Sequence, residues 1–285
     1  MVVHLHERPS PTTVLNPISV GSVSLAVRHL EEVSRFYRDV VGLKLIDREI
    51  GRVRLGVGNT ALLELLHRPD ALPRDPAAAG LYHTAFLLPT RADLGRWLAH
   101  AATLGLRLDG AADHLVSEAV YLHDPEGNGI EIYADRARSE WHWQAGRVVM
   151  ANDRLDMIGL RALATSAWTG APPGTSVGHV HLQVGEIEAA KRFYVGVLGF
   201  EVTREWPQAV FLSTGGYHHH LAGNTWHSLG AGPRDPRRAG LASVNLVAAD
   251  QAILDGIATS AGASDLTTAG MRDPWGTLIQ FSTAP

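Results

Sequence analysis

The chain has 285 residues, of which 45% are hydrophobic and 19% charged, and its formal net charge is −4 with histidine neutral. This composition is typical of a globular protein with one large or two medium domains, and without a basic run it gives no support for a nucleic-acid partner. The absence of cysteine excludes disulfides, thiolate nucleophiles and iron–sulfur ligation, so any metal must be held by nitrogen and oxygen.

The sequence also indicates where the protein works. No apolar run is long enough to span a bilayer, so we expect no membrane partner. The first residues, Met1 to Glu7, have neither the basic patch nor the apolar stretch of a signal peptide. We therefore expect a cytoplasmic protein that binds a small molecule.

The first predicted unit contains a strand, a helix and a hairpin. Alternation from Ser22 to Val27 predicts the strand. The hairpin is predicted from residues 53–57 and 61–66, which flank Gly58-Asn59. A helix ending at Gly42 is predicted between them, because apolar residues recur at helical spacing: Leu30, Val33, Phe36, Tyr37 and Val40.

Three similar units follow. The second has a strand over 82–88, a helix over 92–104 and strands ending at 122 and 133 around Asp124-Pro125-Glu126-Gly127; the third covers about 177–221, and the fourth covers 241–281. A polar stretch with a short helix near 154–164 separates units two and three. The predicted organisation is an N-terminal tail (1–19), modules one and two (20–136), a linker with a short helix (137–175) and modules three and four (176–285).

Two pairs of segments show that the chain contains a duplication. Gly21–Val27 aligns with Gly178–Val184, and the same register places Phe36-Tyr37 on Phe193-Tyr194. The stretch 73–81 likewise recurs as 233–241. A duplicated scaffold can lose functional side chains from one copy. We therefore expect the functional residues among the histidines and carboxylates that differ between the two copies.

The modules and their motifs resemble a known family. Four βαβββ modules with the Leu198-Gly199-Phe200 mark resemble the vicinal oxygen chelate superfamily, which includes glyoxalases, bleomycin-resistance proteins and extradiol dioxygenases. Ser117–Leu122, Asp124–Glu131 and Gly215–His220 are similar to bacterial catechol-2,3-dioxygenase-like proteins. The resemblance covers nearly the whole chain and implies an α+β fold, in which the modules form two cupped mixed-sheet half-barrels.

The resemblance also implies a metal-ligand set. One ligand comes from the first strand of one module, and the others come from the first and last strands of its partner. Pairing modules two and three gives His83, His179 and Glu131, a set that leaves open positions on a non-haem Fe(II). The complementary pairing gives Ser22, Ser243 and Gln280, which would hold no first-row metal well, so we expect one metal site and one blank copy.

Two-domain extradiol dioxygenases would place all three ligands in the C-terminal modules. Here modules two and three must instead meet within one chain or across a swapped dimer, and the sequence leaves both arrangements open.

Each ligand candidate has a structural alternative. His83 lies in an apolar strand, where a lone histidine is ordinarily a hydrogen-bonded core residue, and Glu131 could face solvent from an ordinary sheet. Of His179 and His181, we expect one to face the interior and the other to face out or pack beneath, and the repeat register selects His179. Three ligand types at three homologous positions favour metal ligation.

A histidine cluster is predicted on the last strand of module three. Alternation would place His218 and His220 on one face and His219 on the other. The resemblance implies a catalytic histidine in this region, so His218 or His220 is the candidate acid–base residue; a solvated strand end is the alternative. Four residues are candidates for the substrate pocket, with turn or core roles as the alternative: Tyr121, His114, Asn224 and Trp226.

The resulting hypothesis is an extradiol ring-cleaving dioxygenase that uses Fe(II), or alternatively Mn(II), Zn(II) or Ni(II), on a catechol-like aromatic diol with O2. One alternative is a glyoxalase-like metal-dependent lyase or isomerase that does not use O2. Another is a metal-free protein that binds a drug or metabolite between its concave sheets. The sequence leaves open whether the protein forms a homodimer.

Overall fold

The computed structural model describes residues 17–262 and 266–284. Residues 1–16 of the predicted N-terminal tail therefore lie outside the described residues. The chain has an α+β fold with two large mixed sheets, as the resemblance implies. Its first module comprises β1 (Ile18–Val27), α1 (Leu30–Phe36), β2 (Lys44–Glu49), β3 (Arg52–Val57) and β4 (Thr60–His67).

The other modules follow the same plan, with one difference in the last. Module two comprises β5 (Gly80–Leu87), α2 (Arg91–Thr103), β6 (Gly110–Asp113), β7 (Ser117–His123) and β8 (Gly129–Asp135). Between modules two and three lie β9 (Trp143–Gln144), β10 (Arg147–Val148) and α3 (Met157–Ala162). Module three comprises β11 (Ser176–Gln183), α4 (Ile187–Tyr194), β12 (Glu201–Trp206), β13 (Ala209–Ser213) and β14 (Leu221–Asn224). Module four comprises β15 (Gly240–Ala248), α5 (Gln251–Ala261), α6 (Leu266–Ala269), β16 (Met271–Arg272) and β17 (Leu278–Thr283), so α6 stands where module two has β6.

The two sheets pair the modules across the middle of the chain. The first sheet joins modules one and four in the order β16-β17-β15-β1-β4-β3-β2. The second joins modules three and two in the order β12-β13-β14-β11-β5-β8-β7-β6. Modules two and three thus meet within one chain, and no strand exchange between subunits is needed to bring them together.

Each sheet is centred on an antiparallel pair of first strands. In the second sheet β11 pairs with β5, and His181 lies opposite His83. In the first sheet β1 pairs with β15, and Ser24 lies opposite Ser243. Both pairs have register irregularities at the same two places, so the duplication detected in the sequence extends to the backbone.

The Phe-Tyr marks of the sequence have a structural role. The helix of module one continues from α1 through a π-helical turn at Tyr37–Val41 and ends at Gly42, whose φ of 83° lies in the left-handed region that favours glycine. The buried Tyr37 hydroxyl donates to Asp124 Oδ2 at 3.3 Å. Tyr194 donates in the same way to Asp273 Oδ2 at 2.9 Å. Each tyrosine thereby connects a helix to the closing turn of the next module.

The two copies of the repeated loop contact each other between the sheets. Leu72 N donates to Arg237 O at 2.9 Å, and Ala239 N donates to Leu72 O at 2.8 Å. These bonds join Leu72, the residue before the 73–81 stretch, to the 233–241 stretch. Within the described ranges, none of the helices has the length and apolar character needed to cross a membrane.

Candidate metal centre

Three adjacent strands place the predicted ligands together. His179 lies on β11, His83 on the neighbouring β5 and Glu131 on β8, which is parallel to β5. Glu131 is flanked by Ile130 and Ile132, which pack into the core, so strand alternation turns the carboxylate to the opposite, concave face.

The ligand atoms of these three residues converge. One atom from each lies within 4.8 Å of the others, and all three side chains are buried. Glu131 Oε2 lies 2.9 Å from His83 Nε2 and 3.0 Å from His179 Nε2. In the part of the chain that the structure describes, this is the one group of three or more histidines and carboxylates with metal-binding geometry.

The close packing around His179 depends on a glycine. A Cβ added at Gly178 would lie 1.8 Å from the Tyr133 hydroxyl, so a larger residue there would displace the tyrosine. The Tyr133 ring packs 4.9 Å from the His179 ring, centroid to centroid. Gly178 therefore allows β8 and β11 to bring a buried tyrosine against the histidine.

Burial and charge have opposite effects on these groups. Burial acts to raise the pKa of Glu131, but His179 and His83 outweigh it and hold that pKa well below its ordinary value. Burial lowers the pKa of His83 despite the neighbouring carboxylate. These shifts favour an ionised Glu131 and a neutral His83, the protonation states in which a carboxylate and an imidazole ligate a divalent metal.

The hydrogen bonding of the cluster also fits a cation. Glu131 Oε2 accepts a hydrogen bond from one imidazole, that of His179. His83 Nε2 is buried at 2.9 Å from the same oxygen but makes no well-directed hydrogen bond among the described residues. Two ring nitrogens and one carboxylate oxygen directed at one point are nitrogen and oxygen donors that suit Fe(II), Mn(II) or Zn(II). The donor set therefore fits a divalent ion.

The three residues line a cavity of about 390 Å³. Its aromatic wall includes Tyr82, Trp206, Phe211 and Trp226, and among the residues that the structure describes no arginine or lysine lines it. Trp226, one of the pocket candidates, packs its ring 5.4 Å from that of Tyr82. This cavity can hold a flat, uncharged ring next to the three converging donors.

Two further pocket candidates form a hydrogen-bonded pair on the cavity wall. His114 Nε2 lies 2.6 Å from the Tyr121 hydroxyl, and His114 Nδ1 lies 2.8 Å from Ala151 O. Since the carbonyl can only accept, His114 Nδ1 carries a proton and the tyrosine donates to Nε2 of the neutral ring. Burial, followed by the charge of Glu131, raises the pKa of Tyr121 well above its ordinary value.

The structure places Asn224 behind the wall. Its side-chain nitrogen lies 2.9 Å from Nε2 of His181, a residue that does line the cavity. The expectation that His179 and His181 face different ways is wrong, because residues two apart in a strand share a face. His181 is thus a cavity residue that the sequence analysis did not select, although its spacing from His179 would have identified it.

The strand prediction for the histidine cluster is also wrong. Residues 218–220 lie in an irregular segment before β14, so strict alternation does not apply to them. His219 lines the cavity, with its ring centroid 4.1 Å from that of His179. His220 instead stacks on Tyr217 and lies 3.1 Å from Ser213 Oγ through Nδ1, and burial lowers its pKa to about 3.

His218 connects His219 to a carboxylate. His218 Nε2 lies 2.9 Å from Asp135 Oδ1, and its Nδ1 lies 2.7 Å from His219 Nδ1. Because the carboxylate accepts, a neutral His218 carries its proton on Nε2 and accepts at Nδ1. His219 then donates from Nδ1, which leaves the lone pair of a neutral His219 on Nε2. The sequence analysis did not single out Asp135 and missed this connection.

The comparisons with known proteins identify the family. The model of the Glyoxalase/Bleomycin resistance protein/Dioxygenase superfamily matches residues 19–132 and 176–244. The chain belongs to this superfamily, as its sequence motifs predict. It is also 39% identical over 254 residues to a catechol-2,3-dioxygenase of Bacillus subtilis (strain 168), covering 87% of this chain and 88% of that protein. This similarity supports an enzyme of the superfamily.

Other matches are shorter or concern the fold alone. A biphenyl-2,3-diol 1,2-dioxygenase 2 of Rhodococcus globerulus is 38% identical over 72 residues, which are 25% of this chain and 38% of that protein. The crystal structure of a provisionally named dioxygenase from Bacillus subtilis subsp. subtilis str. 168 has a TM-score of 0.62 at 14% identity, covering 94% of this chain and 85% of that one. Glyoxalase I from Zea mays has a TM-score of 0.55 at 15% identity, covering 93% and 92%.

Proposed function

We propose that the protein is a metal-dependent extradiol dioxygenase that cleaves the ring of a catechol-like aromatic with O2. The observation that carries the proposal is the convergence of His83, His179 and Glu131 in an aromatic-walled cavity. The 39% sequence identity to the Bacillus subtilis catechol-2,3-dioxygenase, which extends over most of both chains, supports the same reaction class.

The three converging residues would hold the divalent ion, with Fe(II) as the proposed metal. When bound, such an ion offers open positions to vicinal oxygens and the redox chemistry that O2 activation requires. The chain supplies the rest. The rings of Tyr82 and Trp226 orient a flat substrate and exclude water from its faces.

The sequence analysis selected His218 or His220 as the acid–base residue, and we now propose His219 for this role. His219 lies on the cavity wall, and the hydrogen bonds through His218 to Asp135 leave its Nε2 lone pair available. That nitrogen can take a proton from a substrate hydroxyl and return it later. In this proposal His218 positions His219, and His220 supports the fold of the segment.

Tyr121 and His114 would provide a second group that holds a proton at the cavity wall. Their 2.6 Å contact fixes the tyrosine hydroxyl between His114 and the Glu131 side of the cavity. From there the hydroxyl oxygen can accept a hydrogen bond from a hydroxyl of the substrate, and it can fix the direction from which the ring enters.

Anaerobic reconstitution with Fe(II), followed by a catechol panel with and without O2, tests the proposal. We expect O2 uptake, matched by a yellow ring-opened product, from protein that has been loaded with Fe(II). Product formation that continues without O2 would contradict the dioxygenase and indicate a lyase or isomerase. Reconstituted protein that neither consumes O2 nor converts any catechol would reject the proposed activity.

A further inference from the structure

The first sheet has a cavity of its own, of about 660 Å³. Ala26 of β1, Leu66 of β4 and Ala242 of β15 contribute its apolar part. Ala26 and Leu66 are neighbours in the strand register, at the positions that Gln183 and Asn224 occupy in the second sheet. In the second sheet Gln183 donates to the carbonyls of the 73–81 loop, whereas the short Ala26 leaves this space open.

Arginines dominate the polar part of this cavity. Although the whole chain carries a net charge of −4, five arginines line this one space: Arg68, Arg234, Arg237, Arg238 and Arg272. Of the described residues, Asp70 is the one carboxylate residue that lines the same cavity. The cavity is therefore strongly cationic in an acidic protein.

Within the described residues, one of these guanidinium groups forms an ion pair with a carboxylate, while Arg234 and Arg238 have only a more distant aspartate nearby, Asp273 and Asp235 respectively. Arg237 forms this ion pair, with Asp235 at 2.8 Å, and the other four arginines of this cavity form none in the part of the chain that the structure describes. Arg238 and Arg272 donate to the neutral carbonyls of Pro73 and Gly276, at 2.9 and 2.8 Å. The guanidinium of Arg234 is partly buried and makes no hydrogen bond among the described residues.

Positive charges that share a cavity repel one another where they outnumber the carboxylates, and a bound anion would relieve that repulsion. A carboxylate or phosphate presents oxygens with the spacing that the guanidinium fork accepts. The apolar surface of Ala26, Leu66 and Ala242 would favour an anion that also carries a short apolar group.

We propose that this cavity binds a small organic anion, with a carboxylate or phosphate held by Arg234 and Arg272. The anion site belongs to modules one and four and is separate from the metal centre. It does not depend on the reaction proposed for that centre.

Calorimetric titration of the full chain with benzoate, inorganic phosphate and the neutral analogue benzamide tests the proposal. We expect saturable binding of one benzoate or phosphate per chain and none of benzamide. The double variant Arg234→Gln/Arg272→Gln should bind the anion at least about tenfold more weakly. Arg48→Gln/Arg192→Gln is the matched control, because it removes the same charge from exposed arginines that are paired with glutamates.

The metal cavity could also accept benzoate, so a third variant is needed. His83→Ala should leave anion binding unchanged if the proposed cavity is the binding site. Three results would overturn the proposal: equal weakening in the two double variants, loss of binding in His83→Ala, or benzamide binding as tight as benzoate binding. Absence of saturable binding by both anions would overturn it as well.

Discussion

The two sheets share one backbone plan, but their central polar side chains differ in whether they find hydrogen-bond partners. In the first sheet, Ser243 Oγ donates to Gln280 Oε1 at 2.8 Å, and Ser24 Oγ donates to Glu64 Oε2 at the same distance. Each of these groups thus has a partner within the sheet.

In the second sheet, two buried imidazole nitrogens approach a single carboxylate oxygen, and His83 Nε2 makes no well-directed hydrogen bond there. Buried polar groups without a hydrogen-bond partner lower the free energy of unfolding. The central polar residues of the second sheet therefore contribute less to stability than those of the first sheet. A bound cation would compensate the second sheet only. The two halves thus share a backbone plan, and their side chains decide which half offers a set of metal-binding donors.

The largest expected effect is on metal content. Replacing His83, His179 or Glu131 singly by Ala should abolish stoichiometric metal binding, because each removes one of three donors. Ser22→Ala and Ser243→Ala, at the equivalent positions of the first sheet, should leave the metal content unchanged. Elemental analysis after reconstitution and dialysis measures this, with circular dichroism as the check on folding. Full metal content in all three ligand variants would show that the pairing of modules two and three does not create the metal site.

The second effect is a loss of turnover when His219, in the segment before β14, or the connected Asp135 is replaced. His219→Ala should retain metal and lower kcat by about 10²- to 10⁴-fold, the range for a general acid–base group. Asp135→Asn should also lower kcat with little change in metal content, because an amide can hold His218 in the wrong tautomer. His220→Ala should change turnover per folded molecule much less, since His220 faces Ser213 and Tyr217. Equal losses at residues 218, 219 and 220 would indicate a structural role for the whole segment.

The family resemblance implied the fold and placed the expected ligand positions on the first and last strands of paired modules, and the duplication then singled out His83, Glu131 and His179, because the other copy has Ser or Gln there. A repeat register survives folding as a strand register, so these three side chains lie together in the structure. The histidine loop was less predictable. Gly215 and Gly216 have positive φ values and interrupt the extended chain, so alternation fails for the residues that follow. The link from Asp135 to His218 joins residues 83 positions apart, and no local pattern encodes it.

A third, smaller effect should be the same in both halves. Tyr37→Phe and Tyr194→Phe each remove a buried hydroxyl that donates to an aspartate, Asp124 or Asp273. Each change should lower the free energy of unfolding by about 1–3 kcal/mol, the cost of leaving a buried acceptor short of a donor. Urea unfolding measures it, and metal content should not change. A loss confined to Tyr37→Phe would show that the closing turn has a structural role in one half only.

The smallest effect is a pH dependence of opposite sign at two aspartates, the buried Asp273 and the partly exposed Asp235. Burial raises the pKa of Asp273 above its ordinary value, even though backbone N–H groups and Tyr194 donate to it. A raised folded-state pKa means that the group's contribution to stability is fully present below the unfolded value, about 3.9, and is lost as pH rises through the folded value. The unfolding free energy of the wild type minus that of Asp273→Asn should therefore fall with rising pH, by at most about 1.4 kcal/mol per pH unit.

Asp235 provides the opposite case, because its hydrogen bonds with Arg237 lower its pKa to about 2. Its contribution should be present above the unfolded value and decline as pH falls toward 2. Urea unfolding of both Asp→Asn variants across this pH range measures the two trends, and a difference at Asp273 that grows with pH would show that its hydrogen bonds outweigh its burial.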